Sequence, residues 1–149
     1  MTEKNNKNIK KIILDTNFLL LPGQFRFDIF SEIKQIMNNE YKLFIIDKTI
    51  DELNKIKSKT SKSKHKDKVA ANIALELLEL NNVEQISSEN CKGPTVDDFI
   101  VELSDENTFI CTNDKELKFR LLDKGYTIIE LMKKSYLRIK RKRTGKNVL

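Results

Sequence analysis

Cysteine, histidine and glycine are scarce in this chain of 149 residues. The two cysteines, Cys91 and Cys111, form no CxxC pair, and the single histidine, His65, cannot complete a zinc set with them. A disulfide scaffold is therefore not expected, and free thiols suit a reducing, intracellular setting, read here as cytoplasmic. Cys111 sits in the apolar run FIC and reads as a small buried residue. The four glycines include no GxxxxGK(S/T) loop, which argues against a P-loop NTPase. The first residues, MTEKNNKNIKK, lack an apolar stretch of signal-peptide length, and no apolar run approaches a membrane span, so no membrane partner is expected.

Charge is what the chain has in abundance. Charged residues make up 34% and the formal net charge is +6. A basic domain often meets an anionic partner. The many Lys, Asn and Ile residues equally suit a composition-biased, solvated surface. The hydrophobic fraction, 39%, is enough for one core in a domain of ordinary size.

Short apolar runs ending in Asp, KIILD and KLFIID (residues 42–47), suit strands buried on both faces, as in a parallel sheet. VEQIS (83–87), TFICT (108–112) and YTIIEL (126–131) are further strands. Helical spacing lies between them: Phe25, Ile29, Ile33, Ile36 and Met37; Ala71, Ala74, Leu75 and Leu78; Phe99, Ile100 and Leu103; Leu117, Leu121 and Leu122, stopping near Gly125. Pro22-Gly23 breaks the chain before the first helix. Strands alternating with helices predict an α/β fold around a parallel sheet. Residues 1–10 read as a flexible N-terminus, 11–132 as the domain, and 133–149 as a basic tail.

Two segments are strongly basic. KIKSKTSKSKHKDK contains Lys55, Lys57, Lys59, Lys62, Lys64, Lys66 and Lys68, and reads as a loop or frayed helix end. KKSYLRIKRKRTGK contains Arg138, Lys140, Arg141, Lys142 and Arg143 and no acid. Together they predict contacts with a polynucleotide backbone. His65 reads as solvated.

The acids gather in another pattern. In a parallel sheet, ligands bind beyond the carboxyl ends of the strands. Asp15 ends the first strand, and Thr112, Asn113 and Asp114 follow TFIC. If those strands are neighbours, Asp15 and Asp114 face one crevice, which Asp51-Glu52 and Asp97-Asp98 could join. Each acid also has a structural reading. Asp114 or Asn113 caps the next helix, Thr95 with Asp97-Asp98 forms a capped acidic first turn, and Glu52 is a solvated helix residue. Asp15 is hardest to dismiss. Converging carboxylates repel unless cations compensate. Hard oxygen ligands suit Mg²⁺ or Mn²⁺, one or two ions. Beside lysine-rich flanks they suit phosphodiester hydrolysis, one ion activating a water and a second stabilising the leaving oxygen.

ILDTN (13–17), TIDEL (49–53), TVDDFIVEL (95–103) and CTNDKEL (111–117) resemble, in this order, the motifs of the PIN-domain family of metal-dependent ribonucleases. The resemblance covers roughly residues 12–131. It implies a three-layer, Rossmann-like α/β/α fold with about five parallel strands and an acidic pocket for Mg²⁺ or Mn²⁺. By position, Asp15, Glu52, Asp97 and Asp114 match the family's acids. Asp98 is a substitute or neighbouring ligand, and Thr16, Asn17, Thr112 and Asn113 are orienting neighbours. The resemblance also implies 5′-phosphate and 3′-hydroxyl products. DTNFLLLPGQFRFDIFSEI and the basic tail look more like archaeal and eukaryotic pre-ribosomal RNA processing nucleases than VapC-type toxins. An antitoxin partner is thus less expected than an rRNA precursor, and a homodimer is common among relatives. Two other readings remain: a PIN fold that binds RNA without cutting it, and a different phosphate enzyme. Haloacid-dehalogenase-like phosphatases need Asp where Asn17 stands. Receiver domains fit poorly, because Lys115 directly follows Asp114.

Overall fold

An unbroken apolar strand can be satisfied only when both faces are covered, and β1 (Lys10–Leu14) is such a strand. Ile12, Ile13 and Leu14 are fully buried. The computed structural model describes residues 9–142. After β1 come two short helices, α1 (Thr16–Leu19) and α2 (Leu21–Phe25), then α3 (Ile29–Ile36). Next are β2 (Tyr41–Ile46), α4 (Asp47–Lys57), α5 (His65–Leu80), β3 (Glu84–Ile86) and α6 (Val96–Leu103). β4 (Thr108–Cys111), α7 (Lys115–Asp123), β5 (Thr127–Met132) and β6 (Tyr136–Arg141) complete the described chain.

The strands form one sheet in the order β3-β2-β1-β4-β5-β6. The first five are parallel, as the sequence led us to expect, and β6 pairs antiparallel with β5. Alternate side chains of a strand point to opposite faces, so the sheet builds two cores. Ile12, Leu14, Phe109 and Cys111 pack with the helices from α1 to α5. Ile13, Ile46, Ile110 and Ile128 pack with α6 and α7. The sheet is thus the middle of three layers.

Several boundaries differ from the sequence reading. Residues 25–37 do not form one helix. Arg26 takes a left-handed backbone (φ 54°), and Asp28 caps α3 by accepting from the Ser31 amide at 3.1 Å. Pro22 opens α2 rather than breaking the chain, because its missing N–H is not needed in a first helical turn. Half of the lysine-rich segment is helical: α4 runs through Lys57 and α5 starts at His65, with residues 58–64 as the loop between them. Glu52 sits in the middle of α4. The stretch read as a tail begins as β6, where Leu137 fills the core. Arg143 and most of the expected flexible N-terminus lie outside the described residues. Among the described residues, no helix is long and apolar enough to cross a membrane.

Gly23 shows how closely α2 and α5 approach. A Cβ there would lie 2.5 Å from the Ala70 Cα. Backbone cannot swing aside as a side-chain tip can, so Gly23→Ala is expected to cost about 1–3 kcal/mol. A fall in the chemical-denaturation midpoint with an unchanged m-value checks this.

Candidate active site

The sheet order places a topological switch point between β1 and β4, whose chains leave in opposite directions. Leu14 pairs with Cys111, so Asp15 and Thr112 stand side by side at the carboxyl edge. Asp15 is almost wholly buried, and its Oδ2 accepts from Thr112 Oγ1 at 2.9 Å. The same Thr112 oxygen accepts from the Asp114 amide at 3.1 Å, which ties both acids to one hydroxyl. Asp114 caps α7 with Oδ1, accepting from the Leu117 amide at 2.8 Å. It thus caps α7 while lining the same cavity as Asp15.

The other two acids arrive on helices. Glu52 comes on α4 and accepts from Thr16 Oγ1, the hydroxyl that opens α1. Asp97 lies in the first turn of α6. That turn is held from several sides. Asp47 accepts from the Ser88 amide at 3.2 Å and the Ser88 hydroxyl at 2.7 Å. Glu102 accepts from the amides of Lys92 (2.8 Å) and Gly93 (2.9 Å). Thr95 and Asp98 form a reciprocal capping box.

Asp15, Glu52, Asp97 and Asp114 line one open cavity of about 400 Å³, together with Thr16, Asn17 and Lys55. Asp98 and Asn113 do not line it. Asp98 Oδ2 accepts from Thr95, and its Oδ1 receives the Arg120 guanidinium at 2.9 Å. Asn113 clamps β5 instead, its Oδ1 accepting from the Leu131 amide at 2.8 Å. Arg120, which sequence reasoning missed, also eases the charge on Asp97.

Burial pushes the Asp15 carboxyl up to about 7, and the charges of Asp97 and Glu52 add to this while the Thr112 hydroxyl opposes it. Burial likewise raises Asp97, with Asp114 and Glu52 contributing repulsion. Such a set is electrostatically short of positive charge, which is how the residues fit a divalent cation. Among the described residues, no three acid, His or Cys side chains stand close enough to form a ready-made cage.

The lysines divide by position. Lys55 lines the acidic cavity, and with Lys62 and the hydroxyls of Ser58, Thr60 and Ser61 it also lines an adjoining cavity of about 460 Å³. Lys57, Lys59 and Lys68 line a third cavity beside His65. The bases of β6 lie elsewhere. Arg138 grips buried Glu130. Arg141 pairs in register with Thr127, at the opposite edge of the sheet, because β6 runs antiparallel. A strand the length of β1 separates those edges, roughly 17 Å. Lys142 contacts Asp123 at 3.3 Å.

A family model described as "PIN like domain" matches residues 12–134. The curated protein Ribonuclease VapC4 of Methanocaldococcus jannaschii is 28% identical over 130 residues, covering 87% of this chain and 95% of that protein. The solved structure of the PIN domain endonuclease Utp24 superposes with a TM-score of 0.69 at 25% identity, covering 88% of this chain and 91% of the other. A domain of a functionally unknown protein from Methanocaldococcus jannaschii shares the fold, with a TM-score of 0.54 at 16% identity, covering 83% and 91% of the two chains.

Proposed function

The chain belongs to the PIN like domain family, and from that premise we propose that it is a Mg²⁺- or Mn²⁺-dependent endoribonuclease. The observation that carries this reading is the convergence of four acids on one cavity at the switch point, two of them with carboxyls raised by burial and mutual repulsion. A bound divalent ion would supply Lewis-acid activation of water and neutralise charge on the phosphate. Asp15, Glu52, Asp97 and Asp114 would hold it. The chain's own part is orientation: Thr112 fixes the Asp15 and Asp114 sides, and Thr16 fixes Glu52. Asn17 faces the same space and is positioned to hydrogen-bond a phosphate or a water.

Substrate contacts fall to the lysines at the end of α4 and in the loop that leads to α5. Lys55 links the acidic cavity to its neighbour, and lysines there would follow the strand backbone. Lys55→Ala with Lys62→Ala is expected to weaken RNA binding and flatten its salt dependence. Lys140→Ala with Arg141→Ala should change both far less. Fluorescence anisotropy across a salt series checks the contrast.

The likeness to an endonuclease over most of both chains supports internal cleavage of a strand, and an rRNA precursor is the substrate class we favour from the resemblance of residues 15–33 and the basic C-terminal segment. The likeness to Ribonuclease VapC4 supports a second reading, a toxin held by an antitoxin. Cleavage assays on Asp97→Asn and Asp98→Asn test the site itself. We expect the first to lose cleavage and the second to retain it with a less stable α6. Loss confined to Asp98→Asn would overturn the assignment of Asp97.

A further inference from the structure

Helical spacing in the sequence places Phe25 on an apolar face, yet it ends α2 with 40% of its surface exposed. Two ammonium groups converge on its ring: Lys66 Nζ lies 5.2 Å from the ring centroid and Lys134 Nζ 5.0 Å. Arg26 follows Phe25 and Lys133 precedes Lys134 in sequence, and both are exposed. Among the described residues, none of these four bases makes a salt bridge. Asp67, adjacent to Lys66, is engaged by the Gln24 amide at 2.9 Å. The cluster therefore sets two ammonium groups on an exposed aromatic face, with the Asp67 carboxylate held nearby by Gln24.

Its parts are held in place. Lys133 and Lys134 both have left-handed backbones (φ 52° and 54°), and the Ser135 amide bonds Met132 O at 3.0 Å, closing a tight turn between β5 and β6. Met132 is the last residue of β5, so this turn lies at the carboxyl edge. α5 ends near β3, which enters from the opposite edge, so its first turn with Lys66 lies at the carboxyl edge too. The acidic cavity opens at the same edge.

We propose that Phe25, Lys66 and Lys134 form a second RNA subsite, remote from the scissile bond, and this rests on the nuclease reading above. A base of the single-stranded substrate stacks on the Phe25 ring, displacing one ammonium, and the phosphates flanking that nucleotide pair with the lysines. Stacking of this kind tolerates any base, because every base has a π-face. The subsite would set how long a strand the enzyme holds, while the acids set where it is cut.

The test is fluorescence anisotropy with a fluorescein-labelled single-stranded RNA, in an Asp15→Asn background that keeps the strand intact. Phe25→Ala should weaken binding ~5- to 150-fold, the range for losing one stacked base. Phe25→Trp should restore it. Lys66→Ala with Lys134→Ala should lower the salt slope by about 0.7 for each phosphate no longer neutralised, whereas Phe25→Ala should leave that slope unchanged. Melting curves verify that each variant is folded. Binding by Phe25→Ala equal to the parent, or equal losses in the alanine and tryptophan variants, would overturn the subsite while leaving metal-dependent cleavage by the native protein untouched. Absence of that cleavage, with the stacking loss retained, would overturn the nuclease reading and leave the subsite standing.

Discussion

Asp15→Asn is expected to abolish RNA cleavage and, at pH 8 without metal, to make the protein melt at a higher temperature than the native chain. Both effects have one cause. The Asp15 carboxyl is buried beside Asp97 and Glu52, and its pKa rises from the ordinary 3.8 to about 7. Below pH 3.8, folded and unfolded chains both carry the proton, so the group costs nothing. Between about 4 and 7 the unfolded chain releases the proton and the folded chain keeps it, so stability falls as pH rises. Above about 7 the full cost, about 4 kcal/mol, is present. Asn has no charge to bury and can still accept from Thr112, so the variant escapes this cost. The expected gain is roughly 10 °C in Tm at pH 8, shrinking to almost nothing near pH 4. Mn²⁺ should raise the Tm of the native chain at pH 8 and leave that of the variant almost unchanged, since a ligand stabilises only the state that binds it. A variant that melts lower than the native chain at pH 8 would contradict the strain assigned to this carboxylate.

Removing Lys118 and Arg138 together should destabilise the protein by about 3–5 kcal/mol, the range for stripping a buried ion of its partners. Glu130 is 3% exposed in the middle of β5. Its oxygens are divided between Lys118 Nζ at 2.8 Å and Arg138 Nη2 at 2.6 Å. Burial alone would push the carboxyl up, but the two bases outweigh burial and hold it below its usual range. A depressed carboxylate contributes stability above its unfolded pKa and loses it as pH falls through the folded one. The gap between native and double variant should therefore be widest near neutral pH and close in acid. Either single substitution should cost less, because one base remains. Cleavage measured well below the melting temperature should stay near native, since this trio sits away from the acidic cavity. A loss of RNA affinity from Arg138→Ala alone, with Tm unchanged, would return Arg138 to the substrate-binding set.

The parallel sheet was legible because IIL, LFII and TFIC are unbroken apolar runs, which strands covered on both faces require. The acidic site was legible for a related reason: an Asp directly ending a buried strand has few structural uses. Other features had no local signal. Phe25 falls at helical spacing with Ile29 and Ile33, and only the left-handed Arg26 takes it out of the core. Arg138 reads as one base among many, and its partner is a residue whose burial depends on β6 pairing with β5. That Lys140 and Arg141 pair with Ile128 and Thr127, away from the acidic cavity, follows from strand direction, which composition does not carry. Asp97 and Asp98 are chemically equal in sequence, and the capping box with Thr95 separates them. Glu130 does leave a trace in the sequence, a charge inside the run IIEL.

Metal-dependent cutting of RNA by the acids around Asp15 has one most direct measurement. The purified protein is incubated with a 5′-labelled single-stranded RNA in Mn²⁺, in Mg²⁺ and in EDTA, beside folded Asp15→Asn. Internal cleavage in either metal, absent in EDTA and absent in the variant, is the predicted result. Cleavage that persists in EDTA and in Asp15→Asn alike would contradict it.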